Sequence, residues 1–219
     1  GKKFVITAGP TREAIDPVRF ISYRSTGKMG YALAKRAALR GADVVLISGP
    51  VSIAPPDNVK VVNIESAEDM FNAVVKESED ADVIIKSAAV ADYRPVTVSD
   101  EKIKKSDSSM TLELEKTDDI LKYLGEHKRK DQFLCGFSME TENMIQNSRE
   151  KLKKKNVDMI VANNLKQAGA GFGTDTNIIT LITEKQTKQL ELMTKEEAAK
   201  QILDEILRCQ EEHKKEENE

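Results

Sequence analysis

The chain has 219 residues, of which 39% are apolar and 32% are charged, and its formal net charge at pH 7 is −3. This length suits one large domain or two small ones, and the apolar fraction is sufficient for a buried core. The lack of a basic excess argues against a nucleic-acid-binding protein, and the sequence has no apolar run as long as a membrane span. Its two cysteines are far apart, a pattern typical of a reducing, cytoplasmic setting.

Short apolar segments alternate along the chain with longer amphipathic ones. After a strand at 2–8 and a glycine-containing loop, a helix is predicted at 27–40. Further strands are predicted at 43–48, 59–64, 83–85, 133–137 and 157–162, and further helices at 66–78, 118–127 and 142–155. The alternation predicts an α/β, Rossmann-like fold, with a mainly parallel sheet covered by helices on both faces.

The end of the chain departs from this alternation. Segments 177–183 and 188–192 predict a small antiparallel hairpin extension, followed by a helix that ends near residue 209. Residues 1–209 are expected to form one domain, and the charged sequence "QEEHKKEENE" at 210–219 predicts a frayed tail. A region around 95–118, with a half-exposed strand at 110–115, is expected to project from the domain.

Three polar residues predict helix starts. Ser66 with Asp69, and Thr194 with Glu197, have the spacing of a capping box, in which side-chain oxygens accept the free amide protons of the first turn. Thr117 is predicted to be the N-cap of the helix at 118–127.

Two familiar nucleotide-binding motifs fail on spacing. A Walker phosphate loop needs a glycine five positions before Gly27-Lys28 and a serine or threonine after them, but the chain has Ser22 and Met29 there. A dinucleotide-binding fingerprint needs an acidic residue at the end of the second strand, which here ends in Ser48. The sequence therefore indicates neither a Walker protein nor a dinucleotide-binding one.

The histidines and cysteines indicate no metal or nucleophile site. His127 and His213 lie in polar segments, and Cys135 lies in a predicted core strand. Lysine, arginine, asparagine and aspartate are instead concentrated in the loops after the strands, where open parallel sheets bind ligands. These residue types suit nucleotidyl or phosphoryl transfer, which asks the protein mainly to position phosphates and neutralise charge.

Several stretches resemble the phosphopantothenate–cysteine ligase family, bacterial CTP-dependent type. They cover nearly the whole chain in order: "ITAGPTREAIDPVRFIS", "STGKMGYALA", "LISGPVS", "SAAVADYRP", "EKIKK", "GFSMET", "VDMIVANN" and "GFGTDTN". The resemblance implies that 4′-phosphopantothenate and L-cysteine are joined in coenzyme A biosynthesis. CTP would supply an acyl-cytidylate intermediate, with Mg²⁺ on the triphosphate and release of pyrophosphate and CMP.

The resemblance also implies an assembly. Family members are cytoplasmic homodimers in which a loop of one subunit helps to cover the site of the other. In many bacteria this ligase is the C-terminal half of a two-enzyme chain, covalently linked to a flavin-dependent decarboxylase. The start "GKK" is expected to mark an excised half of such a chain.

The matched motifs imply roles for individual residues. Lys102 is expected to be catalytic in forming the acyl-cytidylate, and Gly9, Pro10, Gly27 and Gly30 are expected to shape the first loop. The residues expected to bind the nucleotide are Lys86, Ser87, Ala88, Asp92, Lys102, Asp118, Asp119, Ile120, Leu121, Phe137, Lys151 and Lys155. Plainer readings are also open, since Asp92 could cap a turn, Phe137 could be a core residue and 118–121 could be an ordinary helix start.

Tyr23 departs from the family pattern, which has an asparagine associated with handling the acyl-cytidylate. A tyrosine can offer one hydroxyl on a longer side chain but not an amide. One hypothesis is an enzyme that forms the intermediate yet transfers it slowly to cysteine. The other is that Tyr23, whether natural or introduced, is a working catalytic substitute.

Other functions are left open by the residues alone. A related ligase could use ATP, and a non-catalytic nucleotide-binding or dimerisation module would also fit the composition. Four cations of the first loop are candidates for the pantothenate phosphate by charge only: Arg12, Arg19, Arg24 and Lys28. The sequence assigns no metal ligand.

Overall fold

The structure is a computed structural model that describes residues 1–140, 142–164, 169 and 171–216. Parts of the predicted loop after residue 164, and the end of the predicted tail, lie outside these ranges. In chain order the elements are β1 (Lys3–Ala8), β2 (Arg12–Ala14), β3 (Phe20–Ser22), α1 (Lys28–Leu39), β4 (Asp43–Ser48), β5 (Val59–Asn63), α2 (Ala67–Ser78), β6 (Val83–Lys86), β7 (Tyr93–Pro95), β8 (Leu114–Lys116), α3 (Ile120–His127), β9 (Phe133–Glu140), α4 (Met144–Lys154), β10 (Met159–Asn164), β11 (Thr176–Asn177), β12 (Ile179–Thr183), β13 (Thr187–Gln189), β14 (Met193–Thr194) and α5 (Lys195–Glu216).

One eight-stranded sheet organises the chain, in the order β13-β12-β10-β9-β6-β1-β4-β5. The six strands from β10 to β5 pair in parallel, and β12 and β13 add an antiparallel edge. This arrangement confirms the predicted Rossmann-like fold with a small antiparallel extension. Because parallel strands point the same way, the loops that follow β1, β4, β6, β9 and β10 lie along one edge.

Apolar side chains cover both faces of the sheet. On one face α1 and α5 pack against alternate strand residues such as Phe4 and Ile6. On the other face α2, α3 and α4 pack against the intervening residues, such as Val5 and Ile84. The strands are apolar on both sides because both faces are covered by helices.

Three two-stranded antiparallel sheets were not predicted: β2–β3, β7–β8 and β11–β14. In the projecting region, the predicted strand at 110–115 is wrong in its first part. Only Leu114–Lys116 forms a strand, because only these residues pair in register with a neighbouring strand, Tyr93–Pro95. An alternating pattern without a neighbour to hydrogen-bond does not form a strand.

The predicted helix starts have different outcomes. The Ser66 capping box is confirmed, since the Asp69 amide donates to the Ser66 hydroxyl and the Ser66 amide donates to the Asp69 carboxylate. The Glu197 amide donates to the Thr194 hydroxyl at 3.1 Å. The prediction for Thr117 is wrong, because Asp119 caps α3 and the Thr117 hydroxyl donates to the Ala91 carbonyl at 2.6 Å.

The last helix extends beyond its predicted end near residue 209. It continues to Glu216, and Arg208 forms ion pairs with Glu205 and Glu212, one turn away on either side. Charged pairs at this spacing stabilise a helix after its apolar face has ended. Residues 210–216 of the predicted tail are therefore helical, and residues 217–219 lie outside the described ranges.

Candidate functional site

Glycines allow the first loop to approach the sheet edge. Gly9 and Gly27 have φ values of 76° and 80°, and a Cβ at either position would lie within 2.9 Å of the Val51 side chain. At Gly30, a Cβ would lie 2.5 Å from the Ala8 Cβ, so this glycine lets α1 pack directly on β1. Pro10 forms a parallel bridge with Ala89, which joins the first loop to the loop after β6.

Two adjoining cavities open at this edge. The first, called here the glycine-loop cavity, has a volume of about 200 Å³. Its walls are Gly9, Tyr23, 25–30, 86–90, the ends of β9 and β10, residues 171–172, Asn177 and Lys195. The second, the lysine cavity, has a volume of about 400 Å³ and is lined by residues 90–93, 116–121, Lys86, Lys151 and Lys155. Lys86 and Val90 line both.

Four lysines line the lysine cavity, and three of them, Lys86, Lys151 and Lys155, lie on the central strand β6 and the helix α4 or at its end. Burial, together with the positive charge of Lys151, lowers the pKa of the Lys86 ammonium to about 8. The pKa of Lys151 is likewise lowered by burial and by the charge of Lys155. Ammonium groups that are desolvated and close together repel one another, so an anion placed between them would be bound strongly.

The partners of these lysines differ. Lys155 donates to the Asp119 carboxylate at 2.8 Å, and Lys151 donates to the Phe137 carbonyl at 3.2 Å. Burial opposes ionisation of Asp119, but the hydrogen bonds from Lys155 and the Lys122 amide, with the charges of Lys155 and Lys86, together outweigh it and lower the pKa of Asp119. Within the described ranges the Lys86 ammonium has no hydrogen-bond or ion-pair partner. Lys86 is therefore the cation most available to a ligand at the junction of the cavities.

Tyr23 and Asp92 connect the two cavities. The Tyr23 hydroxyl donates to the Asp92 carboxylate at 2.8 Å and lies 3.3 Å from the Asp92 amide nitrogen. Tyr23 lines the glycine-loop cavity, whereas Asp92 lines the lysine cavity. Burial raises the pKa of the Tyr23 phenol, and the charge of Asp92 raises it further, so the phenol stays protonated and able to donate.

Most of the predicted nucleotide-binding residues meet at these cavities. Ser87, Ala88 and Phe137 line the glycine-loop cavity. Residues Asp92, Asp118, Asp119, Ile120, Leu121, Lys151 and Lys155 line the lysine cavity, and Lys86 lines both. This convergence is a geometric fact, and the roles of the residues stay predictions.

Lys102 lies apart from this group. It is exposed and is absent from the lining of both cavities. Its neighbour Ile103 is held by the first loop, because the Ile103 amide donates to the Asp16 carboxylate and the Ile103 carbonyl accepts from Arg19. In a single copy of the chain, therefore, Lys102 is not brought to the predicted nucleotide-binding residues.

Three of the four candidate phosphate-binding cations already have partners. Arg12 stacks over the Phe20 ring at 4.7 Å, Arg19 pairs with Asp16 at 2.7 Å, and Lys28 pairs with Asp175 at 2.7 Å. Arg24 is exposed. The geometry of the described residues therefore does not select one of them as the phosphate ligand.

Two buried polar residues of the glycine-loop cavity were missed by sequence reasoning. Among the described residues, the side-chain oxygen of Asn163 is buried without a hydrogen-bond partner. The Lys195 ammonium donates to the carbonyls of Gly171, Phe172 and Thr174, of which the first two residues line the cavity. The position of Asn163 at the carboxyl end of a strand was an available signal. No local sequence pattern could have identified Lys195, because the carbonyls that it contacts are 21 to 24 positions away in sequence.

The described ranges contain no group of three or more His, Cys, Asp or Glu side chains that could hold a metal ion. None of the helices in these ranges is long and apolar enough to cross a membrane.

Comparison with known proteins gives consistent matches over nearly the whole chain. A family model described as "DNA/pantothenate metabolism flavoprotein C-terminal domain" matches residues 1–209. The coenzyme A biosynthesis bifunctional protein CoaBC of Bacillus subtilis is 53% identical over 208 residues, which are 94% of this chain and 51% of that protein.

Two further matches cover the same region. A protein named cysteine/cysteine sulfinic acid decarboxylase, from an unknown prokaryotic organism, is 48% identical over 94% of this chain and 58% of its own length. The crystal structure of the C-terminal domain of CoaBC superposes with a TM-score of 0.83 at 46% identity, covering 97% of each chain. This chain spans about half the length of the curated relatives it matches.

Proposed function

The chain belongs to the DNA/pantothenate metabolism flavoprotein C-terminal domain family, and from that premise we propose that it ligates L-cysteine to 4′-phosphopantothenate in coenzyme A biosynthesis. Its relatives include proteins named for coenzyme A biosynthesis. We further propose that CTP activates the substrate carboxylate as an acyl-cytidylate, with release of pyrophosphate, and that the cysteine amine then displaces CMP.

The observation that carries this proposal is the pair of adjoining cavities that meet at Lys86. A ligase of this type must hold a triphosphate beside a carboxylate, and the amine must reach the same carbon afterwards. The lysine cavity offers Lys86, Lys151 and Lys155 to a polyanion. The glycine-loop cavity beside it has fewer charged side chains in its lining, together with the apolar Phe137 and Met139, and suits the acyl group and the attacking amine.

The chemistry needs no protein nucleophile, since CTP itself supplies the leaving group. Burial raises the pKa of the Cys135 thiol far above its usual range and raises that of Cys209 to about 11. Both thiols therefore stay protonated and unreactive near neutral pH. The substrate carboxylate attacks the α-phosphorus, and the cationic side chains neutralise charge that develops on the phosphates.

Mg²⁺ is proposed to arrive with the triphosphate. Magnesium in nucleotide sites is held by substrate phosphates and only one or two carboxylates, so a three-residue protein site is not required. Asp92 and Asp118 line the lysine cavity and are the carboxylates that would contact the ion or its water shell. Its charge would offset that of the triphosphate.

We propose that the working protein is a cytoplasmic homodimer in which Lys102 acts on the partner's nucleotide. Lys102 lines neither cavity of its own subunit. The two hairpins β2–β3 and β7–β8 carry exposed apolar residues near the same segment, namely Val18, Phe20, Tyr93, Val96, Val98 and Leu114. Apolar residues grouped on a projecting arm favour a docking surface.

The rest of the relatives' length is proposed to be a flavin-dependent decarboxylase linked to this chain. One relative is named as bifunctional, another is named as a decarboxylase, and the family description is that of a flavoprotein. The decarboxylase would act on the ligation product, so a covalent link places consecutive steps together.

The proposed function is tested by measuring pyrophosphate, nucleoside monophosphate and phosphopantothenoylcysteine separately. Purified protein would be given 4′-phosphopantothenate and Mg²⁺ with CTP or ATP, with and without cysteine. We expect pyrophosphate release with CTP in both arms and ligated product only with cysteine. Higher kcat/KM with ATP would correct the nucleotide, and no product with either nucleotide would contradict the ligase function.

Lys102→Gln serves as the catalytic variant in this assay. We expect it to lower pyrophosphate release by about a hundredfold or more, about 3 kcal/mol of transition-state stabilisation, while CTP still binds. Lys105→Gln is the matched control, because Lys105 is an exposed lysine of the same segment. Equal rates for Lys102→Gln and the unmodified chain would remove Lys102 from the mechanism.

A further inference from the structure

We propose that Asp16 is a positioning residue that holds the Lys102 segment in place for acyl-cytidylate formation. The inference rests on the proposed role of Lys102 and adds a residue to which no function has been assigned. It starts from an unusual carboxylate, which is completely buried and lies in the turn between β2 and β3.

The Asp16 carboxylate is surrounded by donors. Oδ1 accepts the amides of Val18 at 2.8 Å and Arg19 at 2.9 Å, within its own turn. Oδ2 accepts the Arg19 side chain, with its Nε at 3.0 Å and Nη2 at 2.7 Å, and the Ile103 amide at 3.1 Å. Burial opposes ionisation, but the backbone hydrogen bonds from Val18, Ile103 and Arg19 and the Arg19 side chain outweigh it, and the pKa of Asp16 falls to about 2. Asp16 is therefore ionised at any working pH.

The turn alone does not account for this arrangement. An aspartate can stabilise a turn by accepting nearby backbone amides, and Oδ1 already does so. Oδ2 instead reaches Ile103, which is 87 positions away in sequence. The guanidinium that Asp16 orients also donates to the Ile103 carbonyl at 2.6 Å, so both polar backbone groups of Ile103 are held.

A second attachment lies just before Lys102. The Ser99 amide donates to the Ile15 carbonyl at 3.1 Å, and Ile15 is adjacent to Asp16. Lys102 thus lies between two backbone attachments to one turn, while its own ammonium has no partner in the part of the chain that the structure describes. The segment is fixed and the charge is left available.

Fixing the backbone beside Lys102 has a direct kinetic consequence. A lysine on a mobile segment would have to lose conformational freedom in each catalytic cycle before its charge reached the phosphates. Holding Ile103 in advance removes part of that loss. Asp16 should therefore affect the rate of pyrophosphate release and leave CTP binding nearly unchanged.

Asp16→Asn tests this mechanism, because it keeps the shape but replaces one acceptor oxygen with an NH₂ group that faces donors. We expect kcat for pyrophosphate release to fall about tenfold or more, with the KM for CTP within about twofold. Glu13→Gln is the matched control: Glu13 is a buried carboxylate on the same hairpin that accepts the Ala67 amide and does not contact the Lys102 segment. Its rate should stay within about twofold.

A double-mutant cycle separates positioning from general stability. If Asp16 acts through Lys102, Asp16→Asn should cause no further loss in a Lys102→Gln background. Hydrogen exchange supplies a readout independent of activity: the Ile103 amide should exchange faster in Asp16→Asn and at the normal rate in Glu13→Gln. If Asp16→Asn does not fold, Ile103→Pro, compared with Ile103→Ala, removes the same hydrogen bond from the other side and should slow pyrophosphate release alone.

Each outcome decides the inference. An unchanged kcat in Asp16→Asn, or an equal loss in both backgrounds, would overturn it. Full pyrophosphate release by Lys102→Gln would also overturn it. In that case, if the unmodified chain still forms phosphopantothenoylcysteine, the proposed ligase reaction is unaffected. The inference is supported if Asp16→Asn lowers the rate only in the chain that retains Lys102, and if the Ile103 amide exchanges faster in that variant.

Discussion

The Tyr23 hydroxyl and the Asp92 carboxylate form a hydrogen bond of 2.8 Å between the two cavities. The ring fills space on the glycine-loop side, where cysteine is proposed to attack. The family asparagine would be shorter and would offer both a donor and an acceptor there. Tyr23 is therefore placed to affect the second step, transfer to cysteine, more than the first.

Tyr23→Asn is predicted to speed the cysteine-dependent step and to leave pyrophosphate release in the absence of cysteine nearly unchanged. Single-turnover measurements of both steps check this, with Tyr23→Phe as the control that removes only the hydroxyl. An ordinary ligase rate for the unmodified chain, together with a neutral or slower Tyr23→Asn, would show that Tyr23 is a working substitute.

The lowered pKa of Lys86 leads us to predict that the protein takes up protons when CTP binds. Its pKa of about 8 lies below the ordinary lysine value, so near pH 8 about half of the molecules carry a neutral amine. A triphosphate beside it favours the charged form and raises the pKa, so binding takes up about half a proton and weakens as pH rises through 8.

Calorimetry in buffers of different ionisation enthalpy measures this uptake. Lys86→Met should abolish it, and Lys60→Met, which changes an exposed lysine paired with Glu77 outside both cavities, should not. A buffer-independent binding enthalpy for the unmodified chain at pH 8 would place the triphosphate away from Lys86.

At the scale of elements, α5 supplies a wall of the site through its first residue. The buried ammonium of Lys195 lies at the N-terminus of the helix, where a positive charge is unfavourable, and the carbonyls of Gly171, Phe172 and Thr174 compensate it. Burial and the charge of Lys28 lower the pKa of Lys195. Thr26 also donates to the Phe172 carbonyl, at 2.7 Å, so two elements hold one loop.

Lys195→Met is predicted to lower the free energy of unfolding by about 1–3 kcal/mol, because it removes the charged donor to the Gly171 and Thr174 carbonyls. Denaturant unfolding measures this loss, and hydrogen exchange should show faster exchange of the amides in 171–175. Lys200→Met is the control on the same helix, since Lys200 is exposed and its ion pair with Glu197, at 3.7 Å, is long and solvated. Equal stability for the two variants would contradict a structural role for Lys195.

The predictability of the elements follows the range of the interactions that form them. The central strands and the Ser66 helix were predictable because apolar periodicity and capping are local in sequence. The strands Arg12–Ala14 and Tyr93–Pro95 are three residues long and exist only because of their partners. Thr117 failed as a cap because the Ala91 carbonyl, 26 positions away, accepts its hydroxyl proton.

The candidate site divides in the same way. The group around Lys86, Lys151 and Asp119 was expected together because all three match motifs of the ligase family, and Lys86 also ends a parallel strand, where ligands bind. The contacts of Tyr23 with Asp92 and of Asp16 with Ile103 span 69 and 87 positions, and no local pattern encodes them. Sequence reasoning could therefore name Lys102 as a candidate but could not show that it lies outside both cavities.

At the scale of the whole molecule, one sheet edge holds both cavities and two hairpins carry the Lys102 segment away from them. This separation explains why the proposed enzyme would need a second copy to complete its site. The central claim is the acyl-cytidylate intermediate, because forming it requires a cavity for the triphosphate directly beside a cavity for the acyl group.

An isotope-transfer measurement tests that claim most directly. The chain would be given CTP, Mg²⁺, cysteine and 4′-phosphopantothenate labelled with ¹⁸O in its carboxylate, and the products would be analysed by mass spectrometry. The account predicts CMP with one ¹⁸O in its phosphate, since the carboxylate oxygen bonds to the α-phosphorus and stays there when cysteine cleaves the acyl C–O bond. Unlabelled CMP, or CDP with labelled inorganic phosphate, would contradict it.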